Sequence, residues 1–163
     1  MEMDKKLVDA INEQIKNEIY SAYLYLSMSA YFESIKLKGF SNWMKSQAKE
    51  EINHAMKMFN HLADRGARVI LKEFPAPPSE FASPLDIFEK TLAHEKKVTG
   101  LIKNLYALAD ELGDSDATAM FQWFVTEQIE EEESPGKILE KLKAIGDKYQ
   151  ELLLLDKELA QRE

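Results

Sequence analysis

The sequence predicts an all-α protein: an up-down four-helix bundle with one long crossover connection and a short fifth C-terminal helix. Three observations predict it. Apolar residues recur at alternating three- and four-residue spacing through four long segments, the stripe by which a helix faces a core. Turn residues separate these segments, and three prolines crowd into Pro75-Ala76-Pro77-Pro78, where no helix can continue. Two of the connections are short and the middle one is long, so segments one and two pair antiparallel, three and four do likewise, and the long link crosses the bundle.

The first helix is expected over residues 4–36, with the inward series Leu7, Ile11, Gln14, Glu18, Tyr25, Phe32. Gly39 is read as its breaker. The second runs over 40–65, inward at Phe40, Met44, Gln47, Glu51, His54, Met58, Leu62, and closes at Gly66, a residue suited to a left-handed C-terminal turn. After the crossover, Ser83-Pro84 is a strong start signal, a cap followed by proline at the first helical position. The third helix then carries Leu85, Phe88, Leu92, Glu95, Ile102 and Leu105 inward, as far as residue 112. Gly113-Asp114 turns the chain, and Asp114 caps a fourth helix to residue 145 with Ala117, Phe121, Phe124, Gln128, Glu131, Ile138 and Leu142 inward. Gly146-Asp147 opens the fifth segment, 148–162. Residues 1–145 are thus expected to form the bundle and 146–163 a fifth helix and C-terminus of the same domain. An excess of Tyr and Met at Tyr20, Tyr23, Met28, Tyr31 and Met56 suggests a second buried face, hence a subunit contact.

Composition narrows the function. The 163 residues carry a formal charge of −8, which argues against nucleic acid and an anionic membrane surface and suits a protein that attracts cations. With no cysteine, zinc-thiolate and iron–sulfur sites are excluded. The N-terminus leads into an amphipathic pattern rather than an apolar signal region, so a cytoplasmic location is expected.

The polar interruptions of the seams carry the chemistry. Glu18, Glu51, His54, Glu95, Gln128 and Glu131 stand where a bundle core should have Leu or Ile. A carboxylate buried alone costs several kcal/mol, so one on each of four helices asks for a shared partner, and a cluster of cations is the simplest. Glu95 and Glu131 lie 18 residues either side of Gly113, about 27 Å from that turn along each helix. Glu18 lies 21 residues before Gly39, while Glu51 and His54 lie 12 and 15 after it, a looser agreement. Glu51-Ile52-Asn53-His54 places a carboxylate and an imidazole on one helix face. Oxygen ligands with a single nitrogen suit iron or manganese, and also zinc. A carboxylate bridging two ions permits two-electron chemistry on O2. Glu127 and Glu130 flank the seam and, with Glu50, could form an adjoining cation site. Glu132 and Glu133 read as a solvated face. Tyr25 and Trp123 are either core aromatics or redox-active neighbours of the metal, and His61 and His94 are read as surface or interface residues.

Residues 17–26 (Asn-Glu-Ile-Tyr-Ser-Ala-Tyr-Leu-Tyr-Leu), 50–57 (Glu-Glu-Ile-Asn-His-Ala-Met-Lys), His94-Glu95, 122–132 and Leu155-Asp156-Lys157-Glu158 together resemble the non-haem ferritins of bacteria and archaea, over essentially the whole chain. Glu with Glu-x-x-His is the known signature of ferritin-like carboxylate proteins. The resemblance implies iron storage with ferroxidase activity, Fe2+ being oxidised by O2 or peroxide and kept as a ferric mineral in a 24-chain cage of octahedral symmetry. It implies that Glu18, Glu51 and His54 bind one iron, and that Glu51 bridges to a second held by Glu95 and Glu131. Gln128 would hydrogen-bond a water or oxygen species there. Glu50, Glu127 and Glu130 match a third iron site, Tyr25 a redox-active tyrosine, and Trp123 its neighbour.

Departures from that pattern set the remaining expectations. Bacterioferritins carry a second Glu-x-x-His and a haem-ligand Met; here Gln128 with Glu131, and Ile52, hold those places, so no haem is expected. A rubrerythrin-like peroxidase is disfavoured because no cysteine can build its electron-supplying centre. A DNA-protecting ferritin-like protein is disfavoured by the fifth helix, the acidic charge and the intra-chain metal site. Ser134-Pro135-Gly136 falls inside the fourth helix. Pro135 removes the bond to the Glu131 carbonyl, so a kink or local break is expected between Glu131 and Gly136, with weakened or altered assembly. A cage-defective variant that keeps only metal binding is the alternative this leaves open.

Overall fold

Five helices account for most of the chain in the computed structural model, which describes residues 2–163: α1 (Lys5–Ser34), α2 (Lys38–Asp64), α3 (Pro84–Glu111), α4 (Ser115–Ile145) and α5 (Tyr149–Leu159). No strand occurs among the described residues. Ser83 and Asp114 cap as the sequence signals, accepting from the Asp86 and Ala117 amides, and Asp4 likewise accepts from the Lys6 amide, each satisfying a donor the helix itself leaves free. α1 packs chiefly on α2 and α3 on α4, while α5 lies mainly against α2.

The first turn differs from the expectation. Gly39 does not end α1; it sits within the first turn of α2. The reversal occurs at Ile35–Leu37, where Lys36 takes the left-handed conformation (φ 67°) and the Leu37 amide donates to the Phe32 carbonyl at 3.0 Å. The same closure recurs at Gly66 (φ 77°), with Ala67 donating to Leu62, and at Gly113 (φ 69°), with Asp114 donating to Ala109. Only the first uses a non-glycine residue, so its position was not marked in the sequence. With the turn moved to Lys36, Glu18 lies 18 residues before it and His54 18 after, and the two hairpins agree in level.

Gly39 has a different task. A Cβ there would stand 1.6 Å from the Asp156 carbonyl oxygen. The Asp156 carboxylate meanwhile accepts from the Phe40 amide at 2.9 Å and caps α2 from outside. Glycine is what lets α5 dock so closely on the start of α2. Gly39→Ala should cost about 1–3 kcal/mol through this overlap, read as a lower denaturant midpoint with faster amide exchange in α5.

The crossover, residues 67–83, runs along α1. Asn12 holds its start through the Arg68 carbonyl and the Ile70 amide, and Ser27 holds its later part through the Pro78 carbonyl. Phe74 packs edge-on against Tyr20 and Tyr23, and Phe81 against Tyr31. The aromatic and Met excess therefore divides. Met28 is in the core, Tyr20 and Tyr31 are partly covered by the crossover, and Tyr23 and Met56 remain exposed. An open apolar groove lined by Ile19, Tyr23, Leu26 and Ile52 persists on the outer face of α1 and α2.

α4 runs without interruption from Ser115 to Ile145 with Pro135 inside it, so the local break expected there does not form. Pro135 is itself buried, and Gln128, Glu131, Ile138, Leu139 and Leu142 on either side are buried too. Tertiary packing of that face outweighs the loss of one backbone bond. A Cβ at Gly136 would meet nothing within 4 Å, so Gly136→Ala should stabilise the chain by about 1 kcal/mol, visible in thermal melting.

The apolar core is in two clusters. One gathers Met28, Phe32, Phe40, Met44, Phe88 and Leu142; the other gathers Leu7, Ile11, Met58, Leu62, Ile102, Phe121 and Phe124. The polar seam residues of all four long helices lie in the layer between them. Among the described residues no helix is long and apolar enough to cross a membrane.

Candidate metal centre

The seam interruptions meet. Glu18 from α1, Glu51 and His54 from α2, Glu95 from α3, and Gln128 and Glu131 from α4 are all buried. Glu18, Glu51 and His54 offer ligand atoms within 4.8 Å of one another, and so do Glu51, Glu95 and Glu131. Glu51 belongs to both sets. A third set joins His54 and Glu131 to Glu127. His54 faces Glu51 through Nδ1 at 3.4 Å and Glu127 through Nε2 at 3.6 Å.

Side chains around this layer fix its orientation. Gln47 donates to Glu51 Oε1 at 3.0 Å and also to Glu131. Gln14 reaches Glu18 Oε1 at 3.5 Å. The Tyr25 hydroxyl donates to Glu95 Oε1. Gln128 Nε2 lies 3.2 Å from Glu95 Oε2 and 3.1 Å from Thr99 Oγ1, and the Thr99 hydroxyl donates to Glu132. Glu132 is therefore not simply a solvated residue, unlike Glu133, which is exposed and pairs with Lys137. Gln14 and Gln47 each stand four residues before a buried glutamate, a same-face spacing that marks them in the sequence. His94 carries no such mark. It lies against the edge of Tyr25 and pairs with the Ser21 hydroxyl at 2.8 Å, and burial holds its imidazole below the ordinary value. It is a neighbour of the centre rather than a surface residue. Trp123 is partly exposed, edge-on to His54 and under the Lys57 ammonium.

The charge state is what four buried carboxyls must adopt when no cation is present. Burial, then the Glu51 charge, pushes Glu18 and Glu95 well above the usual carboxylate range. The same causes raise Glu131 to about 10. Glu51 goes the other way. Burial opposes its ionisation, but the hydrogen bond and charge of His54 outweigh burial and lower it. His54 is correspondingly raised, Glu51 overcoming the burial that would lower it. Like charges a few ångströms apart cannot all ionise, so the negative charge settles on Glu51 and protons on the others. Protonated, Glu18 can donate to Glu51; once ionised, its Oε2 is buried with no donor to meet it. Such an atom costs on the order of 1–3 kcal/mol, and a cation held with Glu51 and His54 would satisfy it. An oxygen-rich set with one imidazole fits iron.

Beside this layer is a pocket of about 190 Å3 lined by Glu50, Glu127, Glu130, Glu131 and Gln47, with Trp43, Ser134 and Arg162. The three adjoining glutamates share the pocket, but their carboxylates do not converge as a ligand set by themselves. Glu50 is engaged by Arg162 at 3.1 Å, a residue the sequence did not single out.

Comparison with known proteins bears on the family and the fold. Residues 8–145 match the family model of the ferritin-like domain. A bacterial non-heme ferritin of Bacteroides fragilis is 40% identical over 161 residues, covering 98% of this chain and 99% of its own. One from Staphylococcus saprophyticus is 39% identical over 160 residues, covering 98% and 96%. Among solved structures, an open-pore ferritin from the hyperthermophilic archaeon Archaeoglobus fulgidus superposes with a TM-score of 0.98 at 52% identity, covering 99% of each chain.

Proposed function

The chain belongs to the ferritin-like family, and on that premise we propose that it is an iron-storage protein with ferroxidase activity at the buried carboxylate–histidine layer. The observation that carries the reading is Glu51, common to two ligand sets. Glu18, Glu51 and His54 take one Fe2+, and Glu51, Glu95 and Glu131 take the second. Each ion gives up one electron. O2 accepts the two electrons and two protons to leave hydrogen peroxide, and peroxide used as oxidant would accept two electrons and two protons to leave two waters.

The residues of the chain bind, orient and move protons. Glu18, Glu95 and Glu131 surrender their protons to solvent as the cations enter, and the two protons that the reduced oxygen product takes up come from water. Tyr25 and Gln128 hold Glu95, and Gln47 holds Glu51 with Glu131, so the pair is pre-arranged. The pocket of Glu50, Glu127 and Glu130 takes a third ion on the way out of the centre. The product moves as Fe3+ to the interior of a homo-oligomeric cage of 24 chains, for which the exposed groove of Tyr23, Leu26 and Ile52 supplies a contact face.

Stopped-flow oxidation of two Fe2+ per chain tests the reading, with light scattering on the same sample. Rapid Fe3+ formation far above the buffer rate, by particles of 24 chains, is the expected result; a buffer-level rate sinks the ferroxidase, and a stable monomer sinks the cage. Glu130→Ala should leave the first two ions bound and remove the third from an anaerobic calorimetric titration. Loss of all iron in Glu130→Ala would show that the division into primary and third sites is wrong.

A further inference from the structure

We propose that Arg162 is a tethered cation that occupies the adjoining acidic pocket until metal displaces it, so that loading of the third ion and release of the C-terminal segment are one event. The proposal rests on the reading that this pocket takes iron after the primary pair, and it adds what controls that step.

Arg162 follows the end of α5, yet its guanidinium is folded back into the bundle. It donates to Gln47 Oε1 at 2.9 Å and to the Trp43 carbonyl at 3.1 Å, pairs with Glu50 Oε1 at 3.1 Å, and lies 4.2 Å from the Trp43 ring centre. Its backbone is held as well: Asn42 donates to the Arg162 carbonyl at 2.9 Å. A guanidinium with these contacts fills a cation's place with a planar, permanently charged group. Gln47, one of its partners, also holds Glu51 and Glu131, so the tail touches the support of the primary layer and the wall of the pocket at once.

A divalent ion that draws Glu50, Glu127 and Glu130 together in this pocket meets the guanidinium in one of two ways. Either it takes Glu50 from Arg162, or it binds the other oxygen of Glu50 and stands a few ångströms from a fixed positive charge. Both oppose binding. Since α5 continues into this tail, displacement of Arg162 removes its side-chain anchors and leaves residues 160–162 held by Asn42 and by the turn bonds back to Asp156, Glu158 and Leu159. A filled third site should therefore loosen the end of the chain.

Anaerobic Fe2+ calorimetry and amide exchange on the assembled protein test this together. In the unaltered chain, iron beyond two ions per chain should speed exchange in residues 155–163. In Arg162→Gln the third ion should bind on the order of tenfold tighter, the first two should be unchanged, and the tail should exchange fast before any iron is added. Arg162→Lys keeps a charge but loses the planar fork and most of the stacking, and should fall between. A third ion bound with unchanged affinity in Arg162→Gln, while Glu130→Ala still abolishes it, overturns the role of Arg162 and leaves the pocket reading intact. A third ion that survives Glu130→Ala overturns the pocket reading and the inference with it.

Discussion

Glu51→Ala should slow the rapid phase of Fe2+ oxidation by on the order of 100-fold or more, the largest loss of any single change in the centre. The reason is topological. Glu18 and His54 each serve one half of the proposed pair, and Glu95 and Glu131 serve the other, but Glu51 offers a ligand atom to both. Its removal also takes away the acceptor of Gln47 and the carboxylate that faces His54, so the surviving imidazole loses its orientation. His54→Ala should reduce the same phase strongly but leave the Glu95–Glu131 half able to bind one ion. Glu51→Gln separates ligation from packing. It keeps the volume and a hydrogen-bonding amide but no charge, and it should be nearly as slow as Glu51→Ala. Initial rates with excess O2, on protein shown by light scattering to be assembled, are the measurement. Equal rates for the unaltered chain and Glu51→Ala would reject the site.

The centre was legible because its chemistry breaks a strong pattern. Polar residues at Glu18, Glu51, Glu95 and Glu131, with Gln14, Gln47, His54 and Gln128, interrupt otherwise apolar seams, and helical spacing alone brings them inward. What stayed hidden depends on contacts remote in sequence or on local backbone choices. Lys36 takes a left-handed conformation that glycine takes at the other two turns, so Gly39 drew the boundary to itself. Its own purpose, the approach of Asp156, lies more than a hundred residues away. His94 meets Ser21 across two helices, and Arg162 enters the pocket from beyond the last helix. Neither has a periodic position to betray it. Pro135 shows the opposite failure. The local rule predicted a break, but buried neighbours on both sides kept α4 continuous.

Metal-free protein should lose stability as the pH rises from about 5 to 9, and metal should remove that loss. Glu131 has an ordinary carboxyl value when unfolded and about 10 when folded, from burial first and then the charges of Glu51, Glu95 and Glu50. Between those values the folded state holds a proton that the unfolded state has lost. Its contribution is fully present below the unfolded value and disappears as the pH climbs through the folded one. The slope for one fully shifted group is at most about 1.4 kcal/mol per pH unit, and coupling among these neighbours makes their joint slope less than the sum. Glu18 and Glu95 are shifted the same way. His54, also raised, adds in the same sense as the pH passes its folded value. Glu51 is lowered, so its contribution is present above the ordinary carboxylate range and is lost on the acid side, as the pH falls through its folded value. The raised groups outnumber it across the neutral range, and the net effect is a falling melting temperature. The two divalent cations replace the protons of Glu18, Glu95 and Glu131, so their binding should strengthen with pH and release about three protons per chain. Calorimetric titration in two buffers of different ionisation enthalpy counts those protons, and melting with and without Fe2+ under argon gives the stability. A flat melting temperature from pH 5 to 9 without metal, together with no proton release on binding, would mean that the carboxyls of this layer are ionised before the metal arrives and that the fold itself, rather than the cation, tolerates their charge.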